Sequence, residues 1–96
     1  MLVALERFDL RIPDCRSLKQ KRHVVKSLSG DIRSRFEVSV AEVDHHDLWQ
    51  RSRLTLSCVA RGHRELEELL DGAERFLAGQ VFELVRVERD VVTLDD

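Results

Sequence analysis

The side chains richest in chemistry sit in one short stretch, Glu42-Val43-Asp44-His45-His46-Asp47. Asp44, His45, His46 and Asp47 carry donor atoms that suit zinc, manganese or iron. Glu42 and Asp44, two residues apart, have the spacing of an acid and a base on one side of a strand. Spacing argues against the metal: adjacent histidines diverge on a strand and stand about 100° apart on a helix, so both reach one ion only from an irregular loop. The other two histidines, His23 and His63, complete no HxH or HxxxH pattern. A turn explains more of the residues. Asp44 caps the amides of a short helical turn over 45–48, and Leu48 and Trp49 fold an apolar surface back onto the sheet edge or onto another subunit. Neither a metal nor a cofactor is expected.

No other segment supplies a reaction. Cys58 lies in LTLSCVA and reads as a small core residue, while Cys15 follows Pro13-Asp14 in a turn and has no recognisable base. With no CxxC spacing and a reducing cytosol, both are expected as free thiols. GxGxxG, GxxxxGKS/T and GxSxG segments are absent, and the glycines are scattered at 30, 62, 72 and 79. No catalytic residue is assigned, and an enzyme is the less favoured expectation.

Charge is the stronger signal. Residues 16–35 hold seven lysines and arginines against Asp31, a local net charge of +6, whereas residues 63–96 hold four arginines against ten acidic residues, a net −6. Such polarity steers an anionic partner to one end, lets two copies meet head to tail, or reflects two solvated helix faces. Lys19, Arg22, Lys26 and Arg33 recur at spacings of 3, 4 and 7, a stripe suited to successive phosphates, with Arg16 and Lys21 at its start. Aromatic support for base stacking on the sheet is missing, because there is no tyrosine and the four phenylalanines are core candidates.

The elements that must position these residues follow from periodicity. Phe8, Leu10 and Ile12 alternate with Arg7, Asp9 and Arg11 in a half-buried strand over Leu2–Ile12, stopped by Pro13-Asp14. Ser17 and Gln20 form a capping-box pattern that starts a helix. Val24, Val25, Leu28 and Ile32 carry its apolar face past Gly30 to about Arg35. Phe36, Val38 and Val40 alternate as a second strand, and Leu54, Leu56 and Cys58 as a third. Leu66, Leu69, Leu70, Ala73, Phe76 and Leu77 give a second helix capped at Gly79, and the β-branched tail from Gln80 to Leu94 gives a fourth strand.

A chain of 96 residues, 43% hydrophobic, with no linker or repeat, is expected to form one domain over 1–96. The order βαββαβ predicts an α+β, ferredoxin-like sandwich: a four-stranded antiparallel sheet with two helices on one face. The free face would carry Val3 and Leu5 beside Arg7, Asp9 and Arg11, and Thr55, Ser57 and Val59. No run approaches the roughly 18 apolar residues of a membrane span and the N-terminus lacks a signal pattern, so a cytoplasmic location with no membrane partner is expected.

The segments SLKQKR and FEVSVAEVDHHDLWQRSRLTL resemble the YlxP-like family of small bacterial proteins of unknown function. The resemblance spans nearly the whole chain. Its strand-ending turn corresponds to Arg11-Ile12-Pro13-Asp14, its helix start to Ser17–Arg22, and its long block to Ser39–Asp44 with Trp49–Arg51. The chain departs from it at Glu37, where Asn is expected, at His46, where Gln is usual, and at Ser52, where Ala is common. The resemblance implies a ferredoxin-like fold, no established activity, and a gene often placed beside those for a translation initiation factor and a ribosome-binding factor.

The expected function is therefore a non-enzymatic binding module. Its first helix (Arg16, Lys19, Lys21, Arg22, Lys26, Arg33) would meet RNA or a ribosomal component, and no small-molecule ligand is foreseen. The alternative is a homo-oligomeric protein-interaction module using the free sheet face and Trp49. Metal-dependent hydrolysis around Glu42, Asp44, His45 and Asp47 is the third reading.

Overall fold

The chain runs in the order β1 (Leu2–Arg11), α1 (Leu18–Phe36), β2 (Ser39–Asp44), β3 (Arg51–Ala60), α2 (His63–Ala78) and β4 (Glu83–Thr93). The computed structural model describes residues 1–44, 48–80 and 83–95, with Asp44 through its backbone alone. The strands form one sheet in the order β2-β3-β1-β4, and every neighbouring pair is antiparallel. This is the ferredoxin-like α+β plan anticipated from the order of elements. Among the described residues no helix is long and apolar enough to cross a membrane.

Period-two patterning decides which face of the sheet is covered. Leu2, Ala4, Phe8 and Leu10 of β1 and Leu54, Leu56, Cys58 and Ala60 of β3 are buried under the helices. Their neighbours Leu5, Arg7, Arg11 and Val59 lie on the open face and are exposed. Each large aliphatic or aromatic side chain so buried contributes roughly 1.5–3 kcal/mol. The helices supply the matching stripes: Val25, Leu28 and Ile32 from α1, and Leu66, Leu70, Ala73 and Leu77 from α2.

Helix α1 begins where the capping pattern puts it. Ser17 Oγ accepts from the Gln20 amide at 3.1 Å, and Gln20 Oε1 accepts from the Arg16 amide at 2.7 Å. The return bond thus reaches one residue further back than a capping box requires. The helix passes through Gly30, which is exposed.

The second strand departs from expectation. Phe36, expected to open it, is the last residue of α1, and β2 begins at Ser39. Tertiary packing overrides the local alternation: the Phe36 ring meets Phe76 edge-on, with centroids 6.2 Å apart. It also closes on α2 at Gly72, where a Cβ would stand 3.0 Å from Phe36 Cε1. Glu37 then turns the chain in the left-handed conformation (φ 51°, ψ 48°), its amide bonding Arg33 O. Asn would tolerate this positive φ better than Glu does.

Candidate nucleic-acid interface

The seven cations of residues 16–35 do not act together. Arg16, Lys19, Arg22 and Lys26 are exposed on the first half of α1. None of the four forms an ion pair with a described residue. At 1.5 Å rise per residue, Lys19 to Lys26 covers about 10 Å of the helix.

The other three are committed elsewhere. Lys21 is not part of the exposed stripe: it is 1% exposed, and its Nζ lies 3.0 Å from Glu42 Oε2 on β2. Its position two residues after Lys19 turns it toward the sheet. Ser52 Oγ, on β3 and fully buried, donates to the same Glu42 oxygen at 2.5 Å. Its hydroxyl thereby adds a donor to this ion pair. Arg33 Nη2 donates to the Val40 carbonyl at 2.8 Å and ties α1 to β2. Arg35 lies over the Phe76 ring, 4.7 Å from its centroid, a cation–π contact.

Acidic residues of the second half are largely occupied within it. Glu65 and Glu68 pair with Arg61 and Arg64 at i,i+4 spacing. Asp71 and Glu74 of α2 both approach Arg89 of β4, whose Nε also donates to Glu6 Oε2. Glu6 occupies an inward position of β1 and is fully buried, with Oε1 lacking a hydrogen-bond partner. Burial pushes its carboxyl above the ordinary range, and Arg89 only partly opposes this. For Arg89, burial works against the charged form, but bonding to Glu6 and Asp71 outweighs it and raises the guanidinium pKa. The signal for this network in the sequence is a charged residue, Glu6, at an inward position of an alternating strand.

The turn expected after β2, over 45–48, lies mostly outside the described residues. His45, His46 and Asp47 lie outside the described residues, as does the Asp44 side chain. Leu48 and Trp49 do not fold back onto the sheet: they are 47% and 52% exposed. Gln50 anchors the segment instead, its Nε2 donating to Pro13 O at 3.1 Å and Cys15 O at 3.4 Å while its carbonyl accepts from the Ile12 amide at 2.8 Å. Of the acid–base pair considered from sequence, only Glu42 has a described side chain. A bulge between Glu42 and Asp44 breaks the two-residue period, and Glu42 is held by Lys21 and Ser52.

Both cysteines are buried free thiols. Burial raises each thiol pKa, with Asp14 adding to the effect at Cys15 and Glu6 at Cys58. Neither is activated as a nucleophile, since the thiolate is the reactive form.

On the open sheet face, charge and apolar surface are separated along the strands. Toward one end Val3 of β1 sits between Val59 of β3 and Val92 of β4. Toward the other, Asp9 holds Arg53 through Nε at 2.7 Å, Arg7 pairs with Glu88, and Arg11 lies opposite Arg51. The two halves of the interaction surface expected from sequence, the free face and Trp49, are thus only partly contiguous. Val59 is eight residues from Arg51 along β3, about 27 Å.

Comparison with known proteins names a family and no activity. The family model described as "Protein of unknown function (DUF503)" matches residues 3–89. The uncharacterized protein YlxP of Bacillus subtilis (strain 168) is 32% identical over 66 residues, covering 69% of this chain and 72% of that protein. On the strength of the family match across both helices and most of the sheet, the chain belongs to the DUF503, or YlxP-like, family of proteins of unknown function.

Proposed function

We propose that the protein is a non-enzymatic module that binds RNA through the phosphate backbone, using Arg16, Lys19, Arg22 and Lys26 on α1. One observation carries the reading. Most arginines of the sheet and of α2 are taken up in ion pairs, whereas these four cations lie together on one helix, exposed and without an ion-pair partner among the described residues. Unpaired cations on one helical face release counterions from a polyanion, which favours binding that weakens with salt.

The test is binding of a duplex RNA across a range of salt. Four phosphate contacts give a log–log salt slope of about −3 to −4. The variant Lys19→Glu/Arg22→Glu/Lys26→Glu should lose most of the affinity and lower the slope by about one per contact removed. Salt-independent binding, or unchanged binding by this variant, would reject the reading.

A second reading rests on the apolar end of the open face, where Leu5, Val59 and Val92 are 49%, 63% and 50% exposed. Such a patch suits a protein contact, including one with another copy of the chain. Sedimentation equilibrium of the parent beside Leu5→Lys/Val59→Lys tests it. A parent that stays monomeric at high concentration removes the self-association form.

A further inference from the structure

We infer that the end of the open sheet face at Trp49, Arg51 and Arg11 is a subsite for one unpaired nucleotide, its base on the Trp49 ring and its phosphate between the two guanidinium groups. This deepens the RNA reading above and rests on it for the identity of the ligand.

The first observation is a like-charge pair. Arg11 and Arg51 are directly opposed in the β1–β3 register. They share the open face with Asp9 and Arg53, which are paired two positions away. Like charges at directly opposed positions of a sheet destabilise it unless something of opposite sign lies between them. Arg11 has one carboxylate, Glu83 Oε2 at 3.8 Å, with both side chains well exposed. Arg51 makes no ion pair with a described residue. Among the described residues, two guanidinium groups against one carboxylate leave a single positive charge, which matches one phosphodiester.

The second observation is shape. A recess of about 480 Å³ is lined by Leu48, Trp49, Gln50 and Arg51, and another of about 260 Å³ by Arg11, Arg51, Glu83 and Val85. Arg51 belongs to both, so an aromatic platform and a cationic notch meet at one residue. Aromatic rings accept unpaired bases of any identity by stacking, and arginine accepts the adjoining phosphate. The paired strands of a duplex offer Trp49 no such base.

The third observation is continuity with α1. Gln50, between Trp49 and Arg51, bonds the carbonyls of Pro13 and Cys15. Cys15 immediately precedes Arg16, the first cation of the α1 stripe. The start of the α1 stripe and the Trp49 end of the sheet are thus tied together through Gln50.

Trp49 is the only tryptophan, so its emission reports this subsite alone. The probes are a short oligouridylate and a blunt RNA duplex, each titrated while following Trp49 emission and the anisotropy of labelled RNA. Oligouridylate should quench Trp49, and Trp49→Ala should bind it about tenfold more weakly while Trp49→Phe retains most of the affinity. Arg51→Ala should also weaken oligouridylate binding. Neither Trp49→Ala nor Arg51→Ala should alter duplex binding, and both replace exposed side chains, so circular dichroism should show parental folding. Oligouridylate binding with unchanged Trp49 emission, no oligouridylate binding, or equal affinity in Trp49→Ala would each overturn the subsite, whatever the duplex does. Quenching that Arg51→Ala abolishes, in a protein that ignores the duplex, would uphold the subsite and reject the α1 reading.

Discussion

Lys21 Nζ and Glu42 Oε2 lie 3.0 Å apart between α1 and β2, with the lysine 1% and the glutamate 17% exposed. A lysine from the middle of a basic run is thereby withdrawn from the surface and made part of the core. Breaking such a pair from one side leaves an unpaired charge in low dielectric. Lys21→Ala should therefore cost about 3–5 kcal/mol in urea unfolding. Lys21→Met/Glu42→Leu/Ser52→Ala, which removes both charges and the dependent hydroxyl together, should stay near parental stability. If the single variant unfolds like the parent, the pair is not a buried one.

Glu37 should be a site of easy gain. Its positive φ at the end of α1 costs a non-glycine residue roughly 1–2 kcal/mol. Glu37→Gly or Glu37→Asn should raise stability by up to about 1 kcal/mol. A loss on thermal unfolding for both would show that the turn is not left-handed.

The two helix-interior glycines should respond in opposite directions. A Cβ at Gly30 meets nothing within 4 Å, so Gly30→Ala should stabilise by about 1 kcal/mol. At Gly72 the new Cβ would stand 3.0 Å from the Phe36 ring, so Gly72→Ala should destabilise despite the better helix propensity. Urea midpoints that move in the same direction for both would contradict the Phe36–Gly72 contact.

Glu6 should give stability an unusual pH slope. Its folded-state pKa is raised above 4.5, so the native state holds this proton more tightly than the unfolded chain. Its contribution is then fully present below about pH 4.5 and is lost as pH rises through the folded value. Glu6→Gln should flatten that part of the profile, leaving Arg89 with Asp71 and Glu74. Parallel stability profiles for parent and variant above pH 4.5 would count against a raised Glu6.

The order of elements, the covered face of the sheet and the α2 stripe were legible in the sequence because they follow from local periods. Phe8, Leu10 and Ile12, or Leu66, Leu70, Ala73 and Leu77, declare their face by spacing alone. The basic character of α1 was legible for the same reason. Which of its cations remain available was not, because Lys21, Arg33 and Arg35 are committed by partners on β2 and α2 that no local spacing reveals. Phe36 left its strand period for the same cause: Phe76 and Gly72, some forty residues away, offered better packing. Strand register likewise placed Arg11 opposite Arg51 and Glu6 beside Arg89. Pairing across the chain is set by the cooperative closure of the whole sheet, so only the tertiary structure decided which charges cancel, which are buried and which are left exposed.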